Sequence, residues 1–468
     1  MTTLNAALPP PAALPLEHYT DADAMRTLLQ HQLPGFGGSG WRIESVAVSK
    51  VRRNTSISRN PCPMTLCYDL AVHDAATGRS GTQAYFAKVF RPGLAAAAYL
   101  AQDRGAFVAP AFGEPLVHLG AAGLVLWALP NDPVLTQLPA LLDPQRAAGV
   151  LPWAALGIAQ AQAAPVQVEL LRYEPAQRAT LRYTVAPAGG GAARVVYAKT
   201  FRDERARDIH ERFEHFAQRA RHDADAPLVA EPLAHHAATR SVWQAPAFGT
   251  PLVAWLGGPG GAVGPGGAGA VALLARVARA LAQLHAAPLV LSAHALTRTA
   301  AHWVGESRRR ARKVGRAAPH MVARVAAVAN AIDAHAARQT ARLPGLIHGD
   351  FHPDQVWVHE GRPVLFDFDE FTLGDPMEDV AEFLVKLEQV APSGALASAW
   401  ADAFVAAYAA CAPERFDRAS LDWHLAVQSL LQASRAFVYQ QPGWPRELER
   451  RLAASTLRAA RLTPEPLP

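Results

Sequence analysis

Apolar residues in the first eighteen positions are scattered among prolines with no period. Regular patterning starts at Thr20-Asp21, a capping pair that predicts a helix over 20–33, closed by Pro34-Gly35. From Trp41 the period shortens toward two. Ile43, Val46 and Val48 lead to a polar loop at 52–60, and strands are predicted over 65–72 and 84–91, with an alanine-rich helix and an apolar run at 124–130 after them. The same plan then returns. A hairpin over 168–173 and 178–185, a strand over 195–202, a charged helix over 204–221 and an apolar run at 240–246 follow in that order.

The two passages share words as well as period. Phe86-Ala87-Lys88-Val89-Phe90-Arg91 aligns with Tyr197-Ala198-Lys199-Thr200-Phe201-Arg202, and a Trp-x-x-Pro follows 39 and 44 residues after the respective lysines. This reads as an internal duplication of a small β-rich unit. Arginine outnumbers lysine 40 to 5, so the recurrence of a strand lysine is conspicuous in this chain.

A glycine-rich stretch at 257–270 separates these units from a helical remainder; it contains no Gly-Lys-Ser/Thr, so it reads as a linker and not a P-loop. Helices are predicted over 271–286, 322–338 and 377–389, and again from 395 onward. Within this half, Val356-Trp357-Val358 and Pro363-Val364-Leu365-Phe366 form a hairpin around His359-Glu360-Gly361-Arg362. Such a hairpin brings Gln355 and Asp367 side by side, with Asp350 on the segment entering that end. Two carboxylates and an amide oxygen suit a hard ion such as Mg²⁺, with a nucleotide phosphate completing its shell. An alternative uses the alternation of His348, Asp350 and His352, joined by Asp367 or Asp369, as the ligand set of a metal-dependent hydrolase.

His348-Gly349-Asp350, Gln355 five residues later, Asp367-Phe368, then Gly374-Asp375-Pro376 and Asp379 resemble the catalytic and metal-binding segments of the aminoglycoside phosphotransferase-like kinases. The resemblance extends over 168–387 and implies an α+β, bilobal protein-kinase-like fold, with a small antiparallel β lobe, here duplicated, and a helical large lobe. It implies catalytic roles for Asp350 and His348, Mg²⁺ held by Gln355 and Asp367, and a buttressing Asp379. It further implies that Lys199 contacts nucleotide phosphates and pairs with a helix glutamate, Glu211 or Glu214, and that Gln244 and Ala245 offer backbone groups to the base of ATP or GTP. Gln355 stands where the family has Asn. The turn at 174–178 lacks the glycines of a phosphate-covering loop, and Arg178 is the candidate clamp in their place. Lys88 has no acidic helix after it, so the first copy reads as a cap or degenerate lobe. A nucleotide-binding pseudokinase that has lost turnover is a further alternative.

The expected divisions are an extension at 1–40, a first lobe-like repeat at 41–150, the kinase-like small lobe at 165–256, the linker, and a helical lobe at 271–468. Length, 50% hydrophobic content and 18% charge suit a multi-domain globular chain. A net charge of +5 does not call for nucleic acid. No stretch is read as reaching membrane length. Three cysteines make no disulfide or zinc framework, and a cytoplasmic location is expected. The expected partners are a nucleotide and a small hydroxyl compound; no acceptor is singled out among sugars, aminoglycosides and amino alcohols.

Overall fold

A computed structural model describes residues 14–36, 40–53, 62–91, 93–160, 163–223, 226–257, 268–287, 297–339, 343–439 and 443–462. The proline-rich start, most of the loop at 52–60 and most of the glycine-rich stretch lie outside them.

The duplication seen in the sequence is a duplication of sheets. β1 (Trp41–Arg53), β2 (Met64–Asp74), β3 (Arg79–Val89), β4 (Leu116–Leu119) and β5 (Leu124–Ala128) form an antiparallel sheet in the order β1-β2-β3-β5-β4. β6 (Gln167–Glu174), β7 (Arg178–Val185), β8 (Arg194–Phe201), β10 (Pro232–His236) and β11 (Ser241–Gln244) repeat it as β6-β7-β8-β11-β10, with the short β9 (Leu228–Val229) belonging elsewhere. The helix Ala22–Gln32 starts where the sequence predicts, with the Asp21 carboxylate accepting the amides of Asp23 and Ala24, and it buries Met25 and Leu29 against the first sheet.

One residue of register separates the two copies. In the first sheet Trp127 lies opposite Phe86, two residues from Lys88, so lysine and tryptophan share a face; Lys88 Nζ sits 5.3 Å from the indole centre. In the second sheet Trp243 lies opposite Ala198, next to Lys199, and so points to the other face. There it is buried 4.8 Å from the ring of Tyr183, which leaves Lys199 free to face the other way.

The helical half packs around the hairpin. β12 (Thr250–Pro251), β14 (Val356–His359), β15 (Arg362–Leu365) and β9 form a four-stranded sheet in the order β12-β14-β15-β9, and β13 (Gly345–Ile347) pairs with β16 (Thr372–Gly374). The hairpin connection is shorter than predicted. His359 pairs with Arg362, leaving only Glu360 and Gly361 in the turn, at φ 50° and 77°. Two left-handed residues give the turn whose twist matches its strands, and the glycine makes it affordable. Phe216, Phe368 and Phe371 stack beneath the site, with Phe368 and Phe371 centroids 4.8 Å apart and Phe213 edge-on to Phe368. Removing the Phe368 ring would cost about 3–5 kcal/mol.

One stretch does reach membrane length, contrary to the sequence expectation. The helix Gly394–Cys411 is long and apolar enough by composition to cross a membrane. Its apolarity comes mostly from alanine, and Trp400, Phe404 and Tyr408 are buried in the core shared with the helix Ala268–His285.

Candidate active site

The hairpin closes as its spacing predicts. The Phe366 amide donates to the Gln355 carbonyl at 3.0 Å, and Gln355 Nε2 donates to Asp367 Oδ2 at 3.2 Å. Beyond β15, Asp367 takes the left-handed conformation, φ 59°, which aspartate tolerates better than most residues. That turn swings Asp369 back to the same spot as Asp367. Lys199 Nζ, reaching from β8, donates to Asp367 Oδ1 at 2.7 Å and to Asp369 Oδ1 at 2.9 Å. Arg178 at the start of β7 bonds the other oxygen of Asp369.

Charge decides the state of this cluster. Burial works against ionised Asp367, but Lys199 and Arg178 outweigh it and hold its carboxyl well below the usual range. Asp369 is more deeply enclosed; burial pushes its carboxyl up to about 6, with the charge of Asp367 adding to the effect.

Asp350, Gln355, Asp367 and Arg178 line one cleft of 690 Å³. Lys199, Gln244, Tyr197 and Ala198 line a smaller cavity of 270 Å³ that opens beside Asp367. Both volumes lie near or within the span of small-molecule sites.

Three assignments made from the sequence sit differently. Glu211 and Glu214 do not reach Lys199: on the outward face of the helix Arg205–His222 they pair with Arg207 at 3.0 Å and His210 at 3.6 Å. His348 is fully buried and touches neither cavity; its Nε2–H donates to the Phe366 carbonyl at 2.7 Å and its ring packs against Phe368. It holds the loop and cannot meet a substrate. Ala245 spends its amide on the Glu231 carbonyl at 2.8 Å, and Ala247 lines the cavity instead.

With His348 turned inward and His352 lining the cleft, the alternating metal-ligand set does not assemble. Among the described residues no three His, Cys, Asp or Glu side chains converge to hold a metal ion.

Support comes from Asp379, which the family spacing singles out, and from residues on which the sequence is silent. Asp379 Oδ2 accepts the His348 amide at 2.6 Å and His285 Nε2 at 3.0 Å, and its Oδ1 accepts the Gly349 amide at 2.8 Å. Burial opposes its charge, yet these donors keep its carboxyl below the ordinary value. Gly349, at φ 79°, has no room for a Cβ, which would meet the Glu370 carbonyl at 2.3 Å. Arg298 bonds the Gly349 carbonyl at 2.9 Å and Glu378 at 2.6 Å. Only Asp379 had a signal, the family spacing. In the sequence Asp369 stands out only as an alternative hydrolase ligand, and Arg298 lies outside every motif.

The glycine-free turn is pinned from the first sheet's side. Asp132, which follows β5, accepts the Ala176 amide at 2.8 Å and the Tyr173 hydroxyl at 2.6 Å. Ala176 is held at φ 57°.

A family model described as the phosphotransferase enzyme family matches residues 184–424. The chain belongs to this family. It is a small-molecule phosphotransferase of kinase type, and its fold is the α+β kinase-like fold. The match begins inside β7, so the first sheet lies outside it. No curated protein matches the chain. Among solved structures, choline kinase from Cryptosporidium parvum Iowa II is 8% identical at a TM-score of 0.44, covering 68% of this chain and 96% of its own. A macrolide 2'-phosphotransferase from Brachybacterium faecium is 17% identical at 0.40, covering 69% and 99%. An amicoumacin kinase is 14% identical at 0.41, covering 70% and 99%. At such identities and scores the likeness carries nothing about substrate.

Proposed function

We propose that this phosphotransferase moves the γ-phosphoryl group of ATP or GTP to a hydroxyl of a small molecule. What carries this reading is the meeting of Lys199 with Asp367 at 2.7 Å, across the gap between the second sheet and the catalytic hairpin, with Asp350 and Gln355 in the same cleft. The segments at 41–150 and 165–256 then act as cap and small lobe, and 271–468 as the helical lobe.

In this reading the base and ribose enter the 270 Å³ cavity beside Gln244 and Ala247, and the phosphates run past Lys199 and Arg178. Asp350 takes the acceptor hydroxyl. As the bond between acceptor oxygen and γ-phosphorus forms, the bond from γ-phosphorus to the β–γ bridging oxygen breaks. The hydroxyl proton passes to Asp350 and nucleoside diphosphate leaves.

The residues present fit Mg²⁺: Asp367, Asp350 and, once its amide is turned over, Gln355 offer hard oxygens in one place. Bound there, the ion would neutralise phosphate charge. Arg178 and Lys199 share that task, and both are partly satisfied beforehand by Asp369.

The test is diphosphate release from MgATP and MgGTP across a panel of hydroxyl compounds. Asp350→Asn should lower kcat by about 10²–10⁴-fold. Unchanged turnover in that variant removes Asp350 from the chemistry. Thermal stabilisation by nucleotide with no product from any compound would instead mark a binding module.

A further inference from the structure

Beyond Asp350 the cleft changes character. Eight lysines and arginines line it against five carboxylates. Those at the nucleotide end are neutralised: Arg178 by Asp367 and Asp369, Arg205 by Asp203 at 2.7 Å. The end beyond Asp350 is different. There Lys386, on the helix Met377–Val390, and Arg435, on the helix Arg418–Val438, face the same space. Among the described residues Lys386 makes no ion pair, and the nearest acid to Arg435 is Glu382 at 3.9 Å. Glu382 is deeply buried, and 3.9 Å is too long for a hydrogen bond to Arg435, so the guanidinium keeps donors for another anion. Burial and then Arg435 draw the Lys386 ammonium down against the opposing pull of Glu382, Asp350 and Asp354, so the two cations lie close to each other. Arg52 reaches the same cleft from the first sheet, 6.0 Å over the ring of Tyr439 and 2.6 Å from Glu174.

We propose that Lys386 and Arg435, with Arg52 across the cleft, form an anion subsite beside Asp350, so that the acceptor is a hydroxyl compound already carrying a phosphate or carboxylate group. Sugar phosphates and sugar acids are the fitting classes. Polycationic aminosugars fit poorly, because they would bring further positive charge beside Lys386 and Arg435. The assignment of this end to the acceptor rests on the proposed role of Asp350. It gives the first sheet a task at the site: closing the acceptor end, with no nucleotide of its own.

The experiment uses the full chain with a non-hydrolysable ATP analogue and Mg²⁺, titrated calorimetrically with ribose 5-phosphate, gluconate, ribose and kanamycin. Diphosphate release with ATP is measured for the same compounds. Ribose 5-phosphate or gluconate should bind in preference to ribose, the two arms separating phosphate from carboxylate recognition, and kanamycin should not bind. Lys386→Gln and Arg435→Gln should each weaken the preferred anion roughly tenfold to a hundredfold, as expected for loss of a charge-assisted bond. Lys386→Arg should restore most of the loss. Binding of ribose or kanamycin in preference to both anions, or no binding of either anion, overturns the subsite. So does a loss in the two glutamine variants that falls on the nucleotide analogue instead of the anion. Anion binding that depends on Lys386 but yields no diphosphate supports the subsite and overturns phosphoryl transfer.

Discussion

Lys199 Nζ lies 2.9 Å from Oδ1 of Asp369, a carboxylate 170 residues further along the chain. A strand lysine paired with its own lobe's helix would tie the small lobe to itself. This one ties the second sheet to the segment that follows the β14–β15 hairpin, and an ion pair spans the cleft between them.

Glu211 and Glu214 should therefore be dispensable. They are exposed and paired only along their own helix, so Glu211→Gln and Glu214→Gln should leave the nucleotide KM within about twofold and stability within about 0.5 kcal/mol. Asp369→Asn should raise that KM roughly tenfold, because Lys199 and Arg178 lose the group that orients them. Steady-state kinetics on the three variants decides. A Glu211 effect as large as that of Asp369 would mean that the helix moves in to meet Lys199.

His348→Ala should act on folding before chemistry. It removes a ring packed against Phe351, Phe368 and Phe371 and strands the Phe366 carbonyl. A loss of about 2–4 kcal/mol follows, read from urea unfolding. A variant of unchanged stability with reduced kcat would return His348 to the reaction itself.

Gln355→Asn restores the family's residue and should nonetheless be harmful. The Gln355 amide spans to Asp367 at 3.2 Å, and a side chain shorter by one methylene falls short by roughly a bond length. The concentration of Mg²⁺ giving half-maximal transfer should rise several-fold. A fall on titration would show that glutamine, not asparagine, is the handicap here.

Asp369 gives stability a particular pH dependence. Its carboxyl is raised to about 6 in the folded protein, above an unfolded value near 3.9, so the native state holds the extra proton between them. That contribution is fully present below about 4 and is lost as pH rises through about 6. Asp367, whose carboxyl is lowered, behaves in the opposite way: its contribution is present above about 4 and is lost as pH falls below it. The stability difference between the protein and Asp369→Asn should change between pH 4 and 6.5 and be flat above 7, measured by denaturant melts at stepped pH. A difference that is constant throughout would place Asp369 among ordinary carboxylates.

The sequence by itself determined what depends on local order. The helix start at Asp21 and the hairpin about Gly361 follow from capping and turn chemistry, and the meeting of Gln355 with Asp367 follows from strand pairing between near neighbours. The duplication was legible too, because β period and repeated words need no tertiary contact to be seen. What only the tertiary structure decided is where long-range partners fall. Lys88 and Lys199 sit in nearly the same words, yet one residue of strand register stacks the first on Trp127 and leaves the second to face Asp367. The left-handed turn at Asp367 brought Asp369 into the cluster, and His348 went to the core instead of the cleft. A side chain's partner across 170 residues is set by how sheets and helices dock, and no spacing along the chain records that angle.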